Sequence, residues 1–535
     1  MASTAEPFAS ATPAPASLVV GVTGHRTLRD EAPVAARVDQ SLRRILQSMP
    51  QLGQTPLTLT ILSPLAEGAD RLVAKQGLQV PGSRLEVALP LPKDEYLKDF
   101  ETGESRAEFE SLLAKAVRVH EIPRQASRLN AYYEVGRFVV DHCDVLIAIW
   151  DGKPAAGHGG TAEVVQYARA SGCPLLWIRT DGSGGVTEES VGGVASGSFQ
   201  ETDRYNAERV ASEPFHDAIS KEELRLLGAS GQTGLPAVAV RRVTSALLPH
   251  LVRADLLALR FQRLYYKAGS LVYALAAAAV AAVAFQILFK PTGHGFLLVE
   301  VGLLSIVLAI LGLGRRQHWH RRWIDYRFLA ERFRSALFLA VAKVDKAPRR
   351  GLRQAETAAR SGDWISIAFS SAWDLLPRPD RHVQLPIEAL KQFLLRSWID
   401  DQINYHRKTS LRHQRRHRRL AIAGNLLFGL TFAAAVLHVA ELGPETFGDF
   451  LAFVAIAFPA TAGALGAIRL HREYLRNSVR SAEMARHLES LRARIESAAD
   501  FDALVPLLRA AEETMLHENE DWRVVVRFHD LESPA

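Results

Sequence analysis

Four apolar runs constrain this chain more than any other feature. Ala268 to Phe289 is 22 residues without a charge, bracketed by Lys267 and Lys290. At about 1.5 Å per residue, a helix of that length crosses a hydrocarbon layer about 30 Å thick. Phe296 to Gly314, Leu420 to Ala440 and Phe450 to Ile468 are 19 to 21 residues each. Buried helices of a large soluble core show shorter runs with a polar position in every turn. Here the polar face is missing, so four transmembrane helices are expected, with the lipid bilayer as a partner.

The formal net charge of +6 would suit a nucleic-acid binder. The excess instead lies beside the apolar runs, as in Arg315, Arg316, Arg321 and Arg322 and the stretch from Arg407 to Arg419, and membrane-flanking charge explains it without nucleic acid. The connections 290–295 and 441–449 hold one Lys and no Arg, whereas every other flank is basic. The positive-inside rule then puts both termini in the cytoplasm. Glu300 is the one ionisable residue within a span and lies near its outer end, where a carboxylate either reaches the interface or lines a pore or pairs helices. Pro459, Gly463 and Gly466 are expected to kink the fourth span or admit a close neighbour.

Short motifs recur around the two span pairs. Gln262 to Tyr266 precedes the first pair and Gln402 to His406 the second; Ala330-Glu331 and Ala482-Glu483 come after them. Each unit reads as two spans plus a long polar helix, the units covering 241–345 and 401–535. The trailing helices, near 319–345 and 471–497, suit cytoplasmic packing and homo-oligomerisation. Between the units, 346–400 reads as linker and helix, with Pro377, Pro379 and Pro386.

At 535 residues the chain exceeds one domain, and residues 17–180 differ in kind from the apolar half of the chain. Ser17 to Val22, Leu57 to Leu62, Leu85 to Leu91, Asp144 to Trp150 and Pro174 to Arg179 read as strands. They alternate with amphipathic stretches near 33–48, 66–78, 105–118 and 127–142. That rhythm predicts an α/β domain with a doubly wound parallel sheet, joined to an all-α membrane domain. The only cysteines, Cys143 and Cys173, read as reduced core residues. Residues 1–16 carry no signal-peptide pattern and read as a disordered tail, and 181–240, rich in Gly and Ser, as a flexible insertion or linker with a short helix near 216–227.

In such sheets ligands bind beyond the carboxyl ends of the strands, and the polar, glycine-rich sequences cluster there. After the first strand come Gly21, Thr23, Gly24, His25 and Arg26, whose glycines admit a ligand and whose guanidinium can pair with phosphate. After the second come Ser63, Glu67, Gly68 and Asp70, with Asp70 a candidate for a ribose hydroxyl. After the Asp144 strand come Asp151 and Gly152, then Gly159, Gly160, Thr161 and Glu163 opening a helix, whose exposed N–H groups suit a phosphate. Each loop alone reads equally as a tight turn or a cap. No metal ligand set is present in the sequence pattern.

The loops TGHR, SPLAEGAD and CDVLIAIWDGKPAAGHGGTAEVVQYA together resemble the SLOG superfamily, over roughly residues 17–180. That superfamily includes the LOG phosphoribohydrolases, the DNA-processing protein A group and the sensor region of melastatin-type channels. The resemblance implies a Rossmann-like module for a nucleotide or nucleotide-derived ligand. Gly159 to Glu163 is similar to the GGxGTxxE signature of LOG enzymes but shorter, which favours a sensor over an enzyme. Were the chain a nucleotide N-glycosidase, Glu163 would have to stabilise positive charge at the ribose. The membrane half, with its Gln-x-x-Tyr lead and RRWIDYRFLAERFR helix, is similar to duplicated SLATT domains, two-span modules of bacterial conflict systems. Together these imply a ligand-gated effector of the bacterial inner membrane, pore-forming in antiphage defence. A membrane-tethered hydrolase and a protein-interaction scaffold are the alternatives.

Overall fold

The computed structural model describes residues 13–48, 52–123, 125, 127–154, 160–181, 185–189, 196–289, 295–344, 364–373, 375–377, 383–441 and 444–526. The chain forms two compact units: residues 12–209 with 346–375, and residues 210–345 with 376–535.

The first unit is α/β. In chain order it comprises β1 (Ala16–Gly24), α1 (Glu31–Ser48), β2 (Leu57–Ser63), α2 (Ala69–Leu78), β3 (Arg84–Leu89), α3 (Lys93–Tyr96), α4 (Gly103–Ala114), β4 (Arg118–Glu121), α5 (Arg128–His142), β5 (Val145–Trp150), α6 (Thr161–Ala170), β6 (Leu175–Arg179), β7 (Val186–Glu189) and α7 (Ser196–Ala207). The sheet runs β4-β3-β2-β1-β5-β6-β7. Its first six strands are mutually parallel, and β7 is antiparallel to β6. All six residues of β5 are buried, as a central strand covered on both faces requires. Alternate residues of β1 serve the two faces. Leu18, Val20 and Val22 join Val38 and Leu42 of α1 and Val73 of α2, while Val19 joins Val139 and Val140 of α5 and Val165 of α6. Each such fully buried side chain contributes about 1.5–3 kcal/mol.

The five expected strands are present, and β4 and β7 are additional. Helix α4 stops at Ala114 rather than 118, because Arg118 to Glu121 pairs with β3 as a half-exposed edge strand. The expected tail enters the fold at Ala14, which is buried and exchanges hydrogen bonds with the Asn206 side chain at 2.9 and 2.8 Å. The described parts of 181–240 hold β7, α7 and a 22-residue helix from Ser212 to Thr233, which spans the short helix expected near 216–227. Phe199 and Tyr205 of α7 are fully buried, which holds the polar sequence around them in place. A helix far downstream, Trp364–Trp373, also belongs to this unit, and its Trp364 ring lies 5.4 Å from Tyr205. Eight of its ten residues are buried.

The second unit is helical. It holds α8 (Ser212–Thr233), α9 (Ala237–Phe289), α10 (Gly295–Gln317) and α11 (Trp319–Val341); α12 is the Trp364–Trp373 helix of the other unit. The chain resumes with α13 (Ile387–Leu394), a π-helical turn at Leu395–Ile399, α14 (Asp400–Val439), α15 (Glu445–His471), α16 (Tyr474–Glu496) and α17 (Phe501–Val526). Among the described residues, four helices are long and apolar enough to cross a membrane. The first and third spans are the ends of longer helices, since α9 and α14 run unbroken for 53 and 40 residues. Leu298 and Phe432 leave 72% and 70% of their surface uncovered, a placement that suits lipid tails rather than water.

Span and trailing helix are separated in both halves by a non-glycine residue in the left-handed region, His318 (φ 49°) before α11 and Glu473 (φ 46°) before α16. The close approach expected at Gly463 or Gly466 occurs instead at Gly269. A Cβ on Gly463 or Gly466 would meet open space, whereas one on Gly269 would lie 2.1 Å from His471 Nε2. Beside it, Arg472 donates to Ser270 Oγ at 3.0 Å and to the Tyr266 carbonyl at 3.2 Å. These contacts lock α9 to the end of α15.

Candidate functional site

Strand order reverses between β1 and β5: the chain builds outward through β2 and β3 on one side and through β6 on the other. Helices leave the two strands toward opposite faces there, which opens a crevice at their carboxyl ends. His25 comes directly after β1, and Asp151 directly after β5.

His25 joins all three expected loops. Its amide donates to the Ile149 carbonyl at 3.1 Å, and its carbonyl accepts from the Ala69 amide at 3.0 Å. Its Nε2 lies 3.2 Å from the Asp151 amide nitrogen and 3.3 Å from Asp151 Oδ1. A neutral ring accepts from the amide, and a protonated ring donates to the carboxylate. Asp151 Oδ1 also accepts from the Lys153 amide at 3.1 Å. That backbone bond, outweighing partial burial and aided by His25, holds its carboxyl below the usual range.

The glycines have distinct tasks. Gly68 adopts φ 74°, and a Cβ there would lie 2.3 Å from the Arg26 carbonyl oxygen, so only glycine closes the second loop over the first. Gly24 takes the approach of Ala69 and the Ile149 carbonyl. Gly152 has φ 83° beside the Trp177 ring. Gly21 is a packing residue, because a Cβ would fall 2.8 Å from Val139 and 2.9 Å from Cys143 of the α5 layer. Thr23 pairs in register with Ala148 of β5 and is partly exposed near the crevice floor.

The second loop turns inward. Ser63 Oγ donates to the Asp70 carbonyl at 3.1 Å and accepts from the Leu65 amide at 3.1 Å. Glu67 accepts from the Ser105 hydroxyl. Asp70 is buried, and burial pushes its carboxyl up to about 7, against the pull of the Ala66 amide and the charges of Arg26 and Arg71. The same burial, with the Asp70 charge, raises Tyr96 well above the phenol range. Asp70 is thus a buried acid beneath the crevice rather than an open ribose ligand.

Arg26 is exposed, and its guanidinium lies 5.3 Å from the Tyr132 ring. Tyr132 and Arg128 both donate to Asp99. Nothing in the local sequence joins these α5 residues to the TGHR loop; the parallel crossover does. Gly160 is the N-cap of α6, Thr161 and Glu163 lie in its first turn, and no side chain caps it. Gly159 lies outside the described residues. Trp150 and Trp177, their rings 5.2 Å apart, wall the β5 end: Trp177 Nε1 donates to the Trp150 carbonyl and Trp150 Nε1 to that of Lys153.

In the helical unit a polar cluster sits where α9, α11 and α14 converge. Glu331 lies within 2.7 Å of Arg327 and also pairs with Arg334, while Asp255 stands 3.7 and 3.6 Å from the same two arginines. Burial would raise the Glu331 carboxyl, but the two guanidinium charges outweigh it and bring it to about 2. Nearby, Arg225 donates to the carbonyl of Ser397 inside the π-helical turn, the first element of a stretch that matches a family model. Residues 395–522 match the family of the SMODS and SLOG-associating 2TM effector domain 1. The match runs from that turn through α14, α15 and α16 into α17, so two of the apolar helices lie inside the matched stretch. No curated protein matches the chain.

Proposed function

We propose that the chain is a nucleotide-sensing membrane effector of a bacterial conflict system. A small nucleotide or nucleotide-derived ligand binds the β1–β5 crevice and changes the packing or assembly of the four-span unit. The observation that carries this reading is His25, which ties three glycine-bearing loops together at the one point of the sheet where α/β folds take ligands, in a chain that also holds a two-span effector domain.

Chain topology supports the coupling. The polypeptide passes between the units near 209, 345 and 375. Helix α12, encoded between the two span pairs, packs with α7 and β1 of the α/β unit. A ligand that favours one arrangement of the crevice thereby biases segments that lead directly into α8, α11 and α13. It shifts the membrane unit only to the extent that it binds the two states differently. Placement in the inner membrane with both termini cytoplasmic, assembly as a homo-oligomer and permeabilisation belong to the same proposal.

Calorimetry of the full chain in detergent against nucleoside phosphates, ADP-ribose and cyclic oligonucleotides tests the binding step. Saturable binding of one class, lost in Gly68→Ala, is expected. No heat from any of them overturns the reading, and release of free base would replace it with a hydrolase.

A further inference from the structure

The segment of α14 ahead of its span is two-faced. His406, Ser410, His413 and His417 fall on one side at helical spacing and are partly covered. Ser410 and Ser478 hydroxyls lie 3.3 Å apart and the His413 ring is 5.5 Å from Tyr474, so this side faces α16. Lys408, Arg412, Arg415, Arg416 and Arg419 form a stripe on the other side, and all five are exposed. Residues 407–419 hold seven cations and no acid, and no acid occurs again until Glu441. The matching 13 residues before the first span, 255–267, hold three cations and one acid. Topology alone asks for no such excess, since the first span carries the same orientation signal with fewer charges.

The stripe ends at Leu420, where the apolar run begins, and reaches back about 18 Å along the helix to Lys408. That length matches one headgroup layer, about 5–8 Å, plus the ionic atmosphere beyond it, about 10 Å. A second copy of the stripe would be repelled, so the surface calls for an anionic partner at headgroup depth. Resting on the reading of α14 as a membrane span, we propose that this stripe binds anionic phospholipid headgroups and that the second span pair is held in register by them.

The test uses the full chain in neutral detergent micelles, titrated with fluorescent phosphatidylglycerol or phosphatidylcholine. The expected preference for phosphatidylglycerol is about tenfold or more, set by about 1 kcal/mol per cation at the surface, and it shrinks as salt rises. Replacing Lys408, Arg412, Arg415, Arg416 and Arg419 by Gln abolishes the preference. Replacing the four arginines by Lys keeps it, while Arg407 and Arg418 preserve the orientation signal in both variants. Equal affinity for the two lipids overturns the proposal, as does a preference that survives the glutamines. Displacement of the labelled lipid by an RNA oligonucleotide but not by unlabelled phosphatidylglycerol overturns it in favour of nucleic acid.

Discussion

His471, at the end of α15, presses its ring against the bare backbone of Gly269 in α9, leaving no room for a side chain. The contact joins the first span pair to the second at the level where both helices leave the apolar layer. Gly269→Ala is expected to lower the melting temperature in detergent through overpacking of about 1–3 kcal/mol. His471→Ala in the same chain should restore it, because the ring is what the new methyl meets. A single variant that melts like the parent would show that the helices do not touch there.

Asp70 gives the α/β unit a pH signature. Its carboxyl titrates near 7 when folded against 3.8 as an unburied side chain, so the folded state holds the proton more tightly. Its contribution to stability is whole below pH about 4 and is lost as pH rises through 7, up to about 4 kcal/mol at the limit. Asp70→Asn should therefore melt above the parent at pH 8, with the gap closing toward pH 4. A gap that stays constant with pH would contradict the burial of a titrating acid.

Glu331 behaves in the opposite sense. Its folded value near 2 lies below the ordinary 4.5, so its stabilisation is present above pH 4.5 and is lost as pH falls through 2. Glu331→Ala takes the nearest carboxylate from the half-buried Arg327 and Arg334, leaving them Asp255 at 3.7 and 3.6 Å, and should cost about 1.5–3 kcal/mol at neutral pH. Thermal unfolding of the detergent-solubilised chain reads this directly, and a loss under 1 kcal/mol would mean that solvent already screens the cluster.

Legibility in the sequence tracked the range of the interactions. The four spans and five of the seven strands rest on local periodicity, which a single sequence displays. The short edge strands β4 and β7 were not visible, because four residues with half their side chains in solvent carry almost no periodic pattern. The same holds for α7 and α12, far apart in the chain, whose burial is decided by Tyr205 meeting Trp364. At the crevice, the loops at the strand ends could be read, but the role of His25 could not. Its partners lie in two distant segments, Ala69 at the start of α2 and Ile149 and Asp151 at the end of β5. Gly21 and Asp70 are chemically suited to a ligand, yet packing accounts for the first and burial encloses the second.

Gly160→Asp separates folding from binding. Aspartate is a favoured N-cap, so α6 should be at least as stable as with glycine. Its carboxylate nevertheless occupies the amides that a phosphate would use and repels it. Binding of a nucleotide by the parent should fall at least about tenfold in the variant, with the melting temperature unchanged or raised. Unchanged calorimetric affinity would remove the α6 terminus from the site.

The central claim is that occupancy of the β1–β5 crevice acts on the membrane unit, and ion flux through proteoliposomes holding the full chain measures it most directly. Addition of the nucleotide class that binds in calorimetry should release an encapsulated dye from vesicles with the parent chain, and not from vesicles with Gly160→Asp. Release that is the same with and without the nucleotide, or no release at saturating occupancy, would contradict the account.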